Sequence, residues 1–412
     1  MNSEIFKSLK HRNFRLFFLG QIISVTGTWL QLTAMPWLVY HITSSTILLG
    51  LVGFLSQIPI LLIAPLAGAV ADRYNRRKIL IITQSLAMVQ AITLGLLTVS
   101  GKVQIWHIFI LAVFIGFVNA FDMPTRQIFL HEMVGKEDLT NAITLNSFIF
   151  NGARLVGPAI AGILIASFGE GLCFILNGIS FFAVIAALYF IKPFSIISYS
   201  NNNNMSIFQE LILGIKYIRR TRIVIYILLL ISVVGVIGVF PTILMPVFVK
   251  NIFKLDSTGL GIFMSSIGIG AFIGTIGIAY NSGKKSIKKI IIDSALFLGL
   301  FVVAFGLSKN IILSIVFLVL TGYFMVSQMV LSNTFLQLTV PDEMRGKIMG
   351  FFTMSFIGLA PLGSILAGFL ASKLSAPITV AIGGIVCIII TLMIRKEFIE
   401  RQDTGYKIQD TV

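Results

Sequence analysis

The sequence predicts an all-α membrane protein with twelve transmembrane helices in two pseudo-symmetric six-helix halves and with both termini on the cytoplasmic side. The first observation is composition: 57% of the 412 residues are hydrophobic and 11% are charged, whereas soluble domains carry about 25% charged residues. The second is a series of twelve apolar stretches, each near the roughly 20 residues that cross a bilayer. The third is a long polar break at mid-chain. Together they exclude a soluble protein.

The apolar stretches are separated by short polar connections, which place the predicted spans in order along the chain. Their bounds are 14–40, 46–70, 78–100, 104–127, 140–167, 171–191, 223–249, 258–280, 288–307, 310–337, 346–372 and 375–395. An even number of spans puts both termini on the same side of the membrane.

The distribution of Lys and Arg predicts which side holds the termini. The predicted loops opposite the termini contain only Lys102, Lys250, Lys254, Lys309 and Lys373. Arg154 lies inside a span, and the rest of the 31 Lys and Arg residues lie on the side of the termini. Because cytoplasmic segments carry an excess of Lys and Arg, we expect the termini in the cytoplasm. Membrane topology thus explains the net charge of +15, and no nucleic-acid partner is expected.

The break between the sixth and seventh spans divides the chain. A polar run at 199–204 leads into 206–222, where apolar residues recur at helical spacing and basic residues collect near the end. This pattern predicts an amphipathic helix on the inner leaflet. Gly157 and Gly363 lie half a chain length apart, one of several matches that indicate an internal repeat. The expected domains are an N-terminal half at 1–192, a cytoplasmic linker at 193–222, a C-terminal half at 223–395 and a cytoplasmic tail at 396–412.

The loop between the second and third spans carries a recognisable set of residues, namely Gly68, Asp72, Arg73, Arg76 and Arg77. Their spacing resembles the pattern Gly-x-x-x-Asp-Arg-x-Gly-Arg-Arg/Lys of the major facilitator superfamily of transporters. The resemblance implies that the loop is a cytoplasmic gate that serves conformational switching. Asn75 stands where the family usually has Gly, and Asn also tolerates a left-handed turn.

The fifth span contains Gly157-Pro158-Ala-Ile-Ala-Gly162, which resembles the Gly-Pro-x-x-Gly-Gly motif of the superfamily's exporters. The resemblance implies export rather than import. Pro158 removes a backbone donor and is expected to kink the helix. Small residues four apart let another helix approach closely, and they occur as Ala153, Gly157 and Ala161 in the fifth span and as Gly270 and Gly274 in the eighth. We therefore expect these two spans to contact each other through these residues.

Further stretches resemble the branch of the superfamily that holds macrolide exporters and enterobactin-type siderophore exporters. They are His-Ile-Thr-Ser-Ser at 41–45, Ala-Phe-Asp-Met-Pro-Thr-Arg at 120–126, Asn-Gly-Ala-Arg-Leu-Val-Gly-Pro at 151–158 and Val-Pro-Asp-Glu-Met-Arg-Gly at 340–346. Ala112 occupies the place, relative to Gly116, where the superfamily usually has an Arg in helix 4. The usual drug and proton mechanism therefore lacks one of its residues.

Asp122 is the acid that we expect to meet the gate loop. Asn119, Asp122 and Arg126 share one face of the fourth span, near its cytoplasmic end. An acid beside arginines stays ionised and forms charge-assisted bonds. The family resemblance also implies that the second Arg of the loop, Arg76, meets an acid of helix 4. We expect the contact between Arg76 and Asp122 in a conformation that is closed on the cytoplasmic side. The alternative is that Asp122 carries protons.

Arg154 lies about halfway along the fifth span, with Asn146 and Phe150 on the same face. An Arg at the bilayer centre costs on the order of 3 kcal/mol or more and almost always faces the bundle interior. The sequence predicts no acid at the same depth. Two interpretations remain open: a cation for an anionic group of the substrate, or a structural Arg satisfied by carbonyl or amide groups.

Polar residues elsewhere outline a candidate substrate cavity. In this superfamily helices 1, 4, 7 and 10 line the cavity, so the resemblance implies lining positions on those spans. The candidates on those spans are Gln21, Thr28, Gln31, Asn119, Gln328 and Asn333, and Arg154 of the fifth span is a further candidate. Each alone is more typical of a polar residue that packs between helices.

The sequence contains no nucleotide-binding signature and no nucleophile–base pair, and Cys173 and Cys387 lack ligand spacing, so we expect no enzyme, cofactor or metal site. The leading hypothesis is a secondary exporter of the bacterial cell membrane that moves a siderophore or macrolide-like drug by alternating access. The alternatives are a lipid or lysophospholipid translocator and a membrane receptor or assembly factor without turnover. The expected partners are a small-molecule substrate, anionic if Arg154 binds it, a proton as coupling ion and the lipid bilayer, and the expected state is a monomer.

Overall fold

The computed structural model describes residues 6–191, 207–281 and 287–400. These residues form helices and short connections, and no strand occurs among them. Twelve of the described helices are long and apolar enough to cross a membrane. The predicted all-α fold with twelve spanning helices is thus confirmed.

We number the helices along the chain. They are α1 (Arg12–Thr43), α2 (Thr46–Arg73), α3 (Arg76–Val99), α4 (Ile105–Gly135), α5 (Glu137–Phe168), α6 (Glu170–Phe190), α7 (Ile207–Arg220), α8 (Arg222–Val247), α9 (Ser257–Asn281), α10 (Ile287–Leu307), α11 (Ile311–Thr339), α12 (Asp342–Thr353), α13 (Ala360–Leu374) and α14 (Ala376–Glu400). The spans are α1–α6, α8–α11, α12 together with α13, and α14, whereas α7 lies in the predicted linker. We call the end of the bundle where α1 begins and α14 ends the termini side.

The connection between α4 and α5 differs from the sequence-based expectation. The backbone is helical from Ile105 to Phe168 except at Gly135, which has φ 71° and ψ −178°. Only glycine adopts such a conformation at little cost. The polar stretch between the two predicted spans, 128–139, therefore extends both helices instead of forming a loop. A single residue redirects the chain between them.

Each half packs mainly through its own helices. In the N-terminal half α1 and α3 both pack against α6, and Gly116 of α4 lets α2 approach until a Cβ there would lie 2.8 Å from the carbonyl oxygen of Ser56. In the C-terminal half α9 packs against α11 and α10 packs against α14. Small residues at such contacts allow close backbone approach, which is how helices associate in lipid.

The two halves meet along two seams, one between α2 and α13 and one between α5 and α9. In the first seam, a Cβ on Gly50 would lie 2.5 Å from the carbonyl oxygen of Ser364. In the second, a Cβ on Gly162 would lie 2.7 Å from the carbonyl oxygen of Ser257. Gly50, Gly162 and Ser257 lie toward the ends of their helices that are opposite the termini side. The halves are therefore in close backbone contact on that side.

The buried apolar clusters follow the same asymmetry. One continuous cluster contains residues of both halves, such as Leu38 and Phe174 with Phe248 and Phe305, all on the side opposite the termini. On the termini side each half has its own cluster: one around Phe14 and Phe129, the other around Ile227 and Phe398. The described residues therefore form a bundle that is joined opposite the termini and divided at the termini side.

The predicted contact between the fifth and eighth spans is confirmed at the level of helices, but the predicted residues were wrong. Gly261 and Gly268 of α9 face α5. Gly270 and Gly274 instead face α11, where Val319 and Tyr323 are their neighbours. On α5 the face toward α9 includes Pro158 and Gly162, whereas Gly157 contacts Trp29 of α1. Spacing alone identified a small-residue face but not which neighbour it meets.

Two π-helical turns interrupt the regular helices. One runs from Phe248 to Ile252 at the end of α8, and the other from Met354 to Gly358 between α12 and α13. A Cβ on Gly235 of α8 would lie 2.6 Å from the carbonyl oxygen of Phe356, so the second turn packs directly on the α8 backbone. Turns of this kind occur frequently at functional sites. Here each lies where its helix contacts another element.

Candidate functional site

The connection between α2 and α3 holds the predicted gate residues. Asn75 is the N-cap of α3, and its side-chain oxygen accepts a 3.1 Å hydrogen bond from the backbone N–H of Lys78. Its φ of −64° is not left-handed, so the tolerance of Asn for a left-handed turn is not used here. Asn at this position serves instead to cap a helix, a role for which it is well suited.

Arg76 and Arg77 bind different parts of the N-terminal half. The Nε of Arg76 donates to the carbonyl oxygen of Ala71 at 3.0 Å, and its guanidinium forms an ion pair with Glu132 of α4. Arg77 donates two 2.6 Å hydrogen bonds to the carbonyl oxygens of Leu188 and Tyr189 at the end of α6. An Arg there satisfies carbonyls that have no intrahelical partner. Arg77 thus fixes the start of α3 to the end of α6.

Gly68 and Arg73 of the gate loop lie next to open space. Among the described residues, nothing lies within 4 Å of the position a Cβ would take on Gly68, and the same holds for Gly346 at the start of α12. Arg73 is exposed, and the side chain of Asp72 lies outside the described part. In this conformation the backbone of α2 near the loop and that of α12 are therefore not packed tightly together.

Asp122 lies in a buried network inside the N-terminal half. Only 3% of it is exposed. Its Oδ1 accepts hydrogen bonds from Thr83 at 2.8 Å and from Gln84 at 2.7 Å, and its Oδ2 pairs with Arg126. Arg126 also donates to Gln21 of α1 at 2.9 Å. The network joins α1, α3 and α4 and leaves the carboxylate fully partnered.

The predicted contact between Arg76 and Asp122 is not formed in this conformation. Thr83, which binds Asp122, lies about two helical turns beyond Arg76, roughly 10 Å along α3. The acid that meets Arg76 is Glu132, ten residues after Asp122 in the chain. We predicted the Asp122 contact for a conformation closed at the termini side, so it stays a prediction for that conformation. Glu132 was missed because its residue type alone does not distinguish it from other charged residues near the membrane surface.

Gln21 and Gln31, the two glutamines predicted to line a cavity from α1, face their own half instead. Gln31 is buried, donates to Gln90 at 3.1 Å and accepts from Asn177 at 2.8 Å. Gln21 is buried against Arg126. Such bonds satisfy polar groups that would otherwise be exposed to lipid. In this conformation neither Gln can line an open cavity.

The remaining cavity candidates differ in how deeply they are buried. Gln328 of α11 is fully buried and donates to Ser332 at 3.2 Å. Asn333 is half-buried and accepts from Gln337 at 2.6 Å. Thr28 and Asn119 are half-buried as well. A lining role for Gln21, Gln31 and Gln328 therefore requires another conformation, whereas Thr28, Asn119 and Asn333 keep part of their surface free in this one.

Arg154 lies on α5 where three helices meet. Its guanidinium carbon lies 5.8 Å from the ring centroid of Trp29 on α1, which is a cation–π distance. Close approach of α1 requires Gly157, because a Cβ there would lie 2.5 Å from the Cβ of Trp29. A Cβ on Gly268 of α9 would lie 2.6 Å from the carbonyl oxygen of Arg154. Arg154 therefore contacts α1 with its side chain and the opposite half with its backbone.

Opposite the termini, a polar contact that the sequence did not reveal joins the halves. Asn251, in the π-helical turn after α8, donates a 2.6 Å hydrogen bond to the hydroxyl of Tyr40 at the end of α1. The ammonium of Lys250 lies 5.9 Å from the Tyr40 ring centroid. Ser257 of α9 also donates to the carbonyl oxygen of Gly162 at 3.1 Å. These bonds close the side on which the apolar cluster is continuous.

A family model described as transmembrane secretion effector matches residues 3–406 of the chain. The chain is 29% identical to the staphyloferrin A transporter of Staphylococcus aureus, over 92% of this chain and 94% of the relative. It is 23% identical to the multidrug efflux pump Tap of Mycolicibacterium fortuitum, over 86% and 88% of the two chains. It is 24% identical to the enterobactin exporter EntS of Escherichia coli, over 95% and 92%.

Solved structures resemble the fold over nearly the whole chain. The nucleoside transporter NupG superposes with a TM-score of 0.72 at 13% identity, covering 95% of this chain and 100% of NupG. A bacterial homologue of the lysosomal transporter Spinster, solved in an inward-facing and unoccupied conformation, gives a TM-score of 0.71 at 13% identity, covering 94% and 96%. At such identities the similarity is one of fold.

Proposed function

The chain belongs to the transmembrane secretion effector family of the major facilitator superfamily, and from this membership we propose that it exports a moderately large amphipathic compound, a siderophore or a macrolide-like drug. Members of this superfamily are membrane transporters and not enzymes. The protein is a multi-pass protein of the bacterial inner membrane. The relatives named for staphyloferrin A, enterobactin and multidrug efflux support this substrate class.

The observation that carries the proposal is the unequal contact between the halves. Opposite the termini, one apolar cluster and the Tyr40–Asn251 hydrogen bond join them. At the termini side each half has its own cluster. A bundle of two rigid halves with one closed side is the arrangement that rocking about a central site requires. We therefore propose transport by alternating access, with this conformation open toward the termini.

We further propose that the termini side is cytoplasmic. The excess of Lys and Arg on that side supports this orientation. The conformation would then be inward-facing and ready to take up a substrate from the cytoplasm. Fusion of alkaline phosphatase, which is active only outside the cytoplasm, to the C-terminus and to the α3–α4 turn near Lys102 tests the orientation. We expect activity only for the fusion near Lys102, and activity of the C-terminal fusion would reverse the assignment.

The coupling ion that we propose is the proton. The sequence carries no nucleotide-binding signature, so an ion gradient is the available source of energy. Asp122 is a buried carboxylate in the membrane, and Arg126 and two hydrogen-bond donors occupy its oxygens.

Uptake into everted membrane vesicles tests the function. Respiring vesicles are supplied with iron-free staphyloferrin A, enterobactin, erythromycin or a lysophospholipid, and uptake is measured by mass spectrometry with and without a protonophore. We expect uptake of a siderophore or the macrolide, abolished by the protonophore. Uptake of the lysophospholipid alone would favour a lipid translocator, and saturable binding without uptake would favour a receptor. Uptake that the protonophore leaves unchanged would overturn proton coupling.

A further inference from the structure

Arg154 points toward the interior of the bundle and away from lipid. Val156, Ile160 and Ile163 of α5 are exposed apolar residues on one face of the helix, which marks its lipid side. At about 100° per residue, Arg154 lies roughly 160° around the helix from Val156. The interior face of α5 lies between α1, which contacts Gly157, and α9, which contacts Gly162. The guanidinium therefore lies where the two halves meet.

Arg154 lacks a countercharge within the part of the chain that the structure describes. No ion pair or hydrogen bond of its guanidinium occurs among those residues, and its contact is the face of Trp29. The acids that form ion pairs do so with other cations. They are Asp122 with Arg126, Glu132 with Arg76, Asp138 with Lys7 and His11, Glu170 with His41 and Glu397 with Arg222.

Arg154 is half-buried, and an unpaired guanidinium at mid-membrane is costly, so the site favours an anion. Guanidinium presents a planar fork of donors that matches the two oxygens of a carboxylate or phosphate. Trp29 supplies an aromatic face beside that fork, against which an apolar or aromatic body can pack. The pair therefore offers one charged and one apolar contact within a few ångströms.

We propose that Arg154 and Trp29 form the binding site for the oxyanion group, a carboxylate or a phosphate, of an amphipathic organic anion. This inference rests on the proposed export function and specifies the class of substrate. The carboxylate would come from a soluble compound and the phosphate from a lysolipid-like molecule. Both present the same pair of oxygens to the guanidinium.

The position of Arg154 on the seam gives the site a direct connection to conformational change. The backbone of Arg154 lies against Gly268 of α9, so an anion held by its side chain lies at the boundary of the two halves. Any rocking of α9 against α5 changes the surroundings of that anion. Binding free energy at this point therefore differs between conformations, which is the condition for a ligand to shift their populations.

Energy transfer from Trp29 to dansyl probes tests the site without measuring transport. Trp37 and Trp106 are replaced by Phe, which leaves Trp29 as the single Trp of the three in the chain. The full-length protein is placed in uncharged nanodiscs and titrated with dansylglycine, dansyl-phosphoethanolamine and neutral dansylglycinamide. The first two share the oxyanion and distinguish its two sources. The third has the same aromatic body without the charge.

We expect saturable energy transfer with at least one anionic probe and at least tenfold weaker binding of that probe by Arg154→Gln. Arg154→Lys should weaken the probe less than Arg154→Gln, because it keeps the charge but loses the fork. Lys309→Gln, which removes the same charge from an exposed position, should leave binding unchanged. Equal affinity of anionic and neutral probes, unchanged binding by Arg154→Gln, or no saturable transfer with either anionic probe would overturn the proposal.

Stability of the unliganded protein separates the site from a structural Arg. If the charge is unpaired in the empty site, Arg154→Gln should unfold at the same or a higher temperature than the parent. A clearly lower unfolding temperature for Arg154→Gln and Arg154→Lys alike would assign Arg154 to helix packing. Because neither readout involves flux, failure here leaves the vesicle experiment free to support or reject the export function.

Discussion

Asn251 and Tyr40, which lie 211 residues apart in the chain, share a 2.6 Å hydrogen bond that connects the two halves opposite the termini. Tyr40 is buried, and the ammonium of Lys250 lies over its ring. The contact combines a polar and a cation–π interaction between α1 and the π-helical turn after α8. It is therefore the natural place to weaken closure on that side without disturbing either half.

Tyr40→Phe should favour the conformation that is open opposite the termini. The change removes one neutral hydrogen bond, about 0.5–1.5 kcal/mol, which shifts a two-state ratio by about twofold to tenfold. The measurement is the distance between spin labels at Lys102→Cys and Lys309→Cys, which lie in the two halves on that side. Tyr189→Phe, which removes a hydroxyl from an exposed ring, should change nothing. An unchanged distance distribution in Tyr40→Phe would show that the bond does not hold the halves together.

Gly162→Ala should open the α5–α9 seam. Its Cβ would lie 2.7 Å from the carbonyl oxygen of Ser257, so either helix must move, at a cost of about 1–3 kcal/mol. Gly152→Ala on the same helix is the matched control, because nothing described lies within 4 Å of its Cβ. That variant should be neutral or more stable by up to about 1 kcal/mol. The thermal unfolding temperature and the label distance measure both effects, and equal results for the two variants would contradict the seam.

Asp122→Asn should destabilise the N-terminal half. The amide keeps the shape but leaves Arg126 without its countercharge in a mostly buried network, at a cost of about 3 kcal/mol. The unfolding temperature measures this loss, and adding Arg126→Gln should recover part of it. Glu397→Gln is the control, since its ion pair with Arg222 is long, at 3.9 Å, and exposed, and Gln can still accept the exposed hydrogen bond from the Tyr226 hydroxyl, so less than about 1 kcal/mol is expected. A strictly additive double variant would deny coupling between Asp122 and Arg126.

Asp72→Asn should slow switching without unfolding the protein. The sequence predicts that Asp72 faces the start of the eleventh span near Gly346 when the termini side is closed. A carboxylate at a helix N-terminus contributes about 0.3–1 kcal/mol when exposed and up to ~2 kcal/mol when partly buried. Transport rate at equal membrane abundance is the measurement, with Glu137→Gln as an exposed control on the same side. A normal rate in Asp72→Asn would remove the residue from the gate.

The spanning helices could be predicted from hydropathy because a chain that crosses the bilayer must satisfy its backbone hydrogen bonds internally. A long apolar stretch therefore forms a helix. The residues that pair between helices were harder to predict. The stripe with Gln21 and Gln31 was assigned to a cavity, but polar groups in a membrane are satisfied just as well by each other, and Gln31 binds Gln90 and Asn177. Likewise, periodicity places Gly270 and Gly274 on one face but does not say that the face meets α11.

Contacts between the halves could not be predicted because they join distant parts of the chain. Tyr40 and Asn251 carry no local pattern that marks a partner. The pairing of Arg76 with Glu132 depends on how far α4 extends beyond the membrane, which hydropathy does not define. Arg154 was identified from sequence because a charge inside an apolar span is conspicuous wherever it lies. Its neighbour Trp29 required the packing of α1 on Gly157.

Gly135 joins α4 and α5 directly, so the two helices form one bent unit. No flexible loop separates the two helices, so a displacement at the end of α4 moves the beginning of α5. Glu132, three residues before the bend, is held by Arg76 of the gate loop. A displacement of the gate loop is thereby transmitted through α4 to α5, the helix that carries Arg154. Insertion of a flexible glycine linker at this bend would uncouple the movement of α4 from that of α5 while leaving each helix intact.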